Sequence, residues 1–125
     1  RDAFEEYARW ISPIGMSPRE VAQDASVAGH DLTKGTRVFL MFGSGNRDAE
    51  HFSNPDAFDL TQDRSAAISF GAGPHFCAGA WASKTLIGDV ALPMFFEAFP
   101  KVRLVEDVQF GGWAFRGPIK AMVAP

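Results

Sequence analysis

The stretch Phe70-Gly71-Ala72-Gly73-Pro74-His75-Phe76-Cys77-Ala78-Gly79 gathers the residues of this chain that are most capable of chemistry. Cys77 is the only cysteine. It stands between a glycine-rich loop and a run, residues 80–98, that reads as helix. At or near a helix N-terminus the backbone dipole and unpaired N–H groups favour a thiolate, the form that ligates metals. Gly71 and Gly73 allow backbone angles closed to other residues, so the loop can turn tightly and lie against a flat ligand. Gly79 lets the helix start approach the same ligand. Phe70 is placed to lie over the sulfur, and such a hydrophobic shell tunes a bound metal's potential. Position alone leaves the alternative open, because a lone cysteine is more often a small buried hydrophobe.

The full spacing, Phe70-x-x-Gly73-x-His75-x-Cys77-x-Gly79, resembles the haem-binding signature of the cytochrome P450 family, the haem-thiolate monooxygenases. Histidine two residues before the cysteine is the common bacterial form of that signature. The resemblance implies haem b (iron protoporphyrin IX) as cofactor, with the Cys77 thiolate as axial ligand to iron. Thiolate donation favours O–O cleavage, the step that leads to oxygen insertion into C–H bonds.

The elements that must hold this loop are legible to differing degrees. Residues 2–10 carry helix formers with Phe4, Tyr7, Ala8 and then Ile11 at helical spacing, before Ser12-Pro13 stops the run. Glu6 and Arg9 share a face and can pair, which by position alone is a surface ion pair of little worth. Glu6-Tyr7-Ala8-Arg9 also matches the family's Glu-x-x-Arg helix, and the resemblance implies a structural role for the pair. Strands are expected over residues 19–22, 26–32 and 36–41, with Lys34-Gly35 as a turn. Arg19 falls where the family brings an arginine to a haem propionate, a task that suits a planar guanidinium. His75 would hold the other propionate. Ile14, Gly15 and Met16 would face substrate, and Phe115 could reach toward it from a C-terminal hairpin.

Ala28-Gly29-His30-Asp31-Leu32-Thr33 superficially resembles the family's oxygen-activating motif. Leu32 occupies the first threonine position, and the segment follows Glu-x-x-Arg where the family's motif precedes it. His30 and Asp31 are read as turn residues instead. Gly, Asn, Asp and Pro crowd residues 42–59, indicating loops and short helical turns. Asn46-Arg47-Asp48 and Asn54-Pro55-Asp56 resemble the family's loop before the haem signature. Many members carry arginine where Ala57 stands, so a third member of the Glu–Arg network is missing. Residues 80–98 form one helix in this reading. Its apolar positions Trp81, Leu86, Ile87, Val90, Ala91, Met94, Phe95 and Ala98 make one buried face, and Pro93 kinks it. Short strands follow at residues 101–105, 110–116 and 119–123.

At 125 residues, with 46% apolar and 22% charged residues, the chain has ordinary globular composition. A net charge of −3 without a basic block argues against nucleic acid as a partner. No apolar run has membrane-spanning length. One cysteine excludes an internal disulfide framework and fits a reducing, cytoplasmic compartment. The chain opens on Arg1-Asp2-Ala3, already helical in character, as if cut from a longer protein. The expected fold is α+β, mainly helical: residues 1–125 as the C-terminal fragment of a single cytochrome P450 domain. The long helix with an acid–alcohol pair is not in this segment, so the fragment alone is expected to be inactive. The complete protein would oxidise a small organic substrate with electrons from a ferredoxin or flavin reductase. A non-catalytic haem-binding or haem-sensing module that keeps only the ligand loop is the alternative.

Overall fold

The computed structural model describes residues 1–125. Helix α1, Asp2–Ile11, has Asp2 and Glu5 in its first turn and Arg9 in its last, the charge order that complements the helix dipole. It stops at Ser12, which takes the left-handed conformation (φ 46°) while its N–H reaches the Ala8 carbonyl. Few residues other than glycine sit there without help. Ser12 is held by its own hydroxyl, which donates to the Arg9 carbonyl at 2.9 Å. Pro13 then disfavours any return to helix.

Strands β1 (Ser17–Glu20) and β4 (Arg37–Leu40) pair antiparallel, with Arg19 opposite Val38. Between them, β2 (Ala25–Val27) and β3 (His30–Leu32) form a hairpin. The single strand expected over 26–32 is therefore two. Ala28 (φ 50°) and Gly29 (φ 79°) both have positive φ, the requirement of the tight turn whose twist matches its flanking strands. His30 and Asp31 lie in β3, so they are strand residues and the turn precedes them. Near the C-terminus β5 (Arg103–Leu104) pairs with β8 (Val123–Ala124), and β6 (Gln109–Gly111) with β7 (Gly117–Lys120). The strands expected at 101–105, 110–116 and 119–123 are thus shorter and shifted. With a short helix α2, Phe42–Gly45, and long loops, the fold is an α+β mixture. It is not mainly helical: four two-stranded sheets share the chain with the helices.

The helical run after the cysteine is composite. Helix α3, Ala80–Ser83, passes into a π-helical segment, Lys84–Ala91, and then into α4, Leu92–Ala98. Pro93 enters at the first turn of α4, where its missing N–H costs least. The winding changes from π to α next to the residue from which a kink was expected. Gly88 is buried where the π segment crosses α1; a side chain there would meet Arg1 Cα at 3.1 Å and Phe4 Cβ at 3.4 Å. The apolar face expected to be buried is largely exposed, including Trp81, Leu86, Ile87, Val90, Met94 and Phe95.

Polar side chains slightly outnumber apolar ones among the buried residues. Ala8, Met16, Phe52 and Ala80 are the only buried hydrophobic residues, beside buried Glu6, Arg9, Ser12, Asn46 and Gln62. No helix is long and apolar enough to cross a membrane.

Candidate functional site: a cysteine loop over an apolar cavity

The loop that carries Cys77 is held from α1 outward. The Glu6–Arg9 pair is fully buried rather than superficial, joined by two hydrogen bonds: Arg9 Nη2 to Glu6 Oε1 at 2.7 Å and Arg9 Nε to Glu6 Oε2 at 2.9 Å. Every remaining Arg9 donor finds a backbone oxygen. Nη1 reaches the Asn46 and Pro55 carbonyls, and Nη2 reaches that of Ala57. The Asp59 N–H donates to Glu6 Oε1 at 2.9 Å. Backbone groups at Ala57 and Asp59 thus stand where many relatives of this motif use a third side chain. Burial works against the Glu6 charge. The hydrogen bonds from Arg9 and the Asp59 N–H, with the Arg9 and Arg64 charges, outweigh it and hold the carboxyl below its ordinary pKa.

Asn46 carries that order to the loop. Its Nδ2 donates to Ser12 Oγ at 2.9 Å and to Ser69 Oγ at 3.1 Å, and its Oδ1 accepts the Ile68 N–H at 2.8 Å. The chain entering Phe70 is therefore fixed from both sides. The Cys77 N–H then donates to the Phe70 carbonyl at 2.8 Å, closing the loop at its neck. Within it Gly71 (φ 72°) and Gly73 (φ 63°) take the left-handed conformations read from the sequence. The single 3₁₀ turn Gly73–His75 brings the chain round to the cysteine, and the Ala80 N–H reaches the Cys77 carbonyl at 3.1 Å.

Cys77 is free and exposed. It lines a cavity of about 590 Å³ together with Phe70, Gly71 and His75 from its own loop. Ser17 and Arg19 of β1 face it, and Phe4, Tyr7, Ile14, Ile87 and Arg116 complete most of the wall. Arg19 donates to Ser17 Oγ at 2.7 Å and to the Pro18 carbonyl at 2.8 Å, and it forms no ion pair. His75 makes no side-chain hydrogen bond within the chain. Burial pushes the Tyr7 phenol up.

The structure gathers some of the sequence-derived candidates and separates others. Arg19, Phe70, Gly71, His75 and Cys77 share the cavity; Ile14 borders it too. Gly73 and Gly79 shape the loop without lining it. A side chain on Gly79 would come into ordinary contact with Cys77 Sγ, at 3.8 Å. The Phe70 ring lies against Phe4 (6.4 Å between centroids) and under Lys84 Nζ (5.6 Å), while its carbonyl holds the Cys77 amide. Met16 is buried and lies outside the cavity wall. Gly15 packs instead on the Trp113 carbonyl and Arg116. Phe115 projects over a neighbouring, shallower cleft that also touches Ile14. Neither Arg116 nor Tyr7 was among the site residues read from the sequence. A lone cation in the glycine- and aromatic-rich run 110–118 was the available signal for Arg116.

The family model described as Cytochrome P450 matches residues 1–84, a span that holds both the Glu6–Arg9 helix and the cysteine loop. Among curated proteins, the biotin biosynthesis cytochrome P450 of Bacillus subtilis is 34% identical over 83% of this chain. The epothilone C/D epoxidase of Sorangium cellulosum is 38% identical over 89% of it. In each case the chain spans 26% of the relative's length. The solved structure of the bacillaene polyketide synthase cytochrome P450 PksS from Bacillus subtilis superposes with a TM-score of 0.87 at 34% identity. That alignment covers 98% of this chain and 33% of the solved one. From α1 to the last strand pair, then, this chain belongs to the cytochrome P450 family and represents one part of its bacterial members' length.

Proposed function

We propose that this chain is the C-terminal, haem-binding portion of a single cytochrome P450 domain, and that the complete protein is a haem-thiolate monooxygenase. It would insert one atom of O₂ into a small organic substrate. The observation that carries this reading is the convergence of a lone exposed thiol, a guanidinium free of any ion pair and an imidazole on one cavity. At about 590 Å³ the cavity falls in the ~300–1,000 Å³ range of cofactor and ligand sites. No cluster of three or more His, Cys, Asp or Glu side chains could hold a bare ion, so Cys77 suits a metal that brings its other ligands with it.

Haem b fits these residues. Cys77 Sγ would bind its iron, while Arg19 and His75 would hold the two propionates and so fix the cofactor's orientation. Gly71, Gly73 and Gly79 would let the backbone approach the porphyrin free of side-chain bulk. Phe70 screens the ligand loop from water on the side of Phe4 and Lys84. When bound, haem supplies the oxygen activation, which thiolate ligation favours. The protein's share is binding, orientation and electrostatics. The Glu6–Arg9 pair acts by holding the loop and takes no part in catalysis.

An epoxidase among the relatives supports an enzyme over a haem sensor. Electrons would come from a ferredoxin or flavin reductase, and the protein would work in the cytoplasm. The fragment alone supplies one face of the haem and is inactive. The test is turnover by the complete protein with isotopically labelled dioxygen and an electron donor. Label in an oxidised organic product is the expected result. Bound haem without oxygen-dependent product, across donors, would instead identify the sensor.

A further inference from the structure

The cavity wall opposite the cysteine loop is built from two segments about a hundred residues apart, and one side chain joins them. Pro13 and Ile14 leave the end of α1, while Arg116 comes from the tip of the β6–β7 hairpin and Gly117 and Pro118 from the start of β7. Backbone bonds stitch the two: Arg116 N–H to the Pro13 carbonyl at 2.9 Å, and Gly15 N–H to the Ala114 carbonyl at 2.8 Å. Gly43 N–H extends the seam to the Gly15 carbonyl at 2.9 Å. These are few bonds for a hairpin tip with Trp113 and Phe115 exposed.

Arg116 adds what the backbone lacks. Its Nε donates to the Ile11 carbonyl at 2.8 Å and to the Ser12 carbonyl at 3.2 Å. A helix leaves its last carbonyls without intrahelical partners, and a cation suits that end of the dipole. The guanidinium meets Gly43 through Nη2, where any side chain would fall on that nitrogen. It forms no ion pair. The partners are all backbone, so the contact depends on the guanidinium's shape as well as its charge.

We propose that Arg116 is a positioning residue that clamps the hairpin tip onto the end of α1 and so fixes the Pro13–Ile14 wall of the cavity. Only the identity of what the cavity holds rests on the function proposed above. The clamp itself is a property of the chain.

Hydrogen exchange in the complete holoprotein tests it, read at the Gly15, Gly43 and Arg116 amides with the Cys77 amide as internal control. Two variants attack the clamp differently. Arg116→Gln removes the guanidinium, while Gly43→Ala keeps it and displaces it with one methyl. Each should speed exchange at the three seam amides by about tenfold and leave the Cys77 amide as it was, the mark of a local opening. Arg116→Lys, which keeps the charge, should fall between Arg116→Gln and the unaltered protein. The double variant should open no further than Arg116→Gln alone. Unchanged seam amides in both variants would overturn the proposal, as would equal acceleration at Cys77. Should Arg116→Gln fail to fold, Gly43→Ala decides alone. A protein that lacks haem would sink the function above, yet its seam amides would still decide the clamp.

Discussion

Two regions of this chain treat polarity in opposite ways. Around Glu6, Arg9, Ser12 and Asn46, charged and polar groups are buried and every one is paired. About thirty to seventy residues along, the loop holding His75 and Cys77 leaves those two side chains lining a cavity, without hydrogen-bond partners within the chain. The first region spends its hydrogen-bonding capacity internally and becomes rigid; the second keeps that capacity for something else. Buried ion pairs are seldom the most stable way to fill a core, and their retention fits a role in specifying one geometry. Here that geometry is the path of the chain from Asn46 through Ser69 into the ligand loop.

Breaking the buried region should have the largest effect. Arg9→Ala leaves the Glu6 carboxylate uncompensated and frees the Asn46, Pro55 and Ala57 carbonyls. A loss of about 3–5 kcal/mol is expected from denaturant unfolding of the complete protein. A cost below about 1 kcal/mol, the range of exposed pairs, would mean the knot is not structural.

Acid should act on the same region with a smaller, graded effect. Glu6 has its folded pKa below the reference value of 4.5. Its stabilisation is therefore complete above about pH 4.5 and is lost as pH falls through the lower folded value. Asp59 and Asp63, held down by hydrogen bonds from Thr61 and Ser65, act in the same direction. Melting temperature followed from neutral pH into acid should fall, and Glu6→Gln should make that fall shallower. An identical slope in the variant would remove Glu6 from the account.

The smallest effect belongs to a pair with neither burial nor a site to support. Lys120 Nζ and Glu106 Oε1 lie 2.6 Å apart, with both side chains nearly half exposed. Glu106→Ala should change unfolding stability by no more than about 1 kcal/mol. A change as large as that for Arg9→Ala would erase the contrast between the regions.

The cysteine loop was legible in the sequence because its constraints are local: glycine φ angles, a tight turn, a cysteine before a helix. The stop of α1 at Ser12-Pro13 was legible for the same reason. Burial of Glu6 and Arg9 was not. Helical spacing shows that they meet, but their other partners come from 37 to 53 residues away. Asn46 stayed hidden as a hub because loop composition predicts turns without naming what an amide will bind. The π segment escaped because a 3.6-residue period cannot report a change in winding. Leu86, Val90 and Met94 share the apolar face that the spacing picks out, yet no element of this chain covers them.

The central claim is a sulfur–iron bond at Cys77. The direct test is the carbon monoxide difference spectrum of the reduced complete protein, beside that of Cys77→Ala. A red-shifted, thiolate-type Soret band present in the first and absent from the second is the predicted result. The same band surviving in Cys77→Ala would place the ligand on another atom and contradict the account.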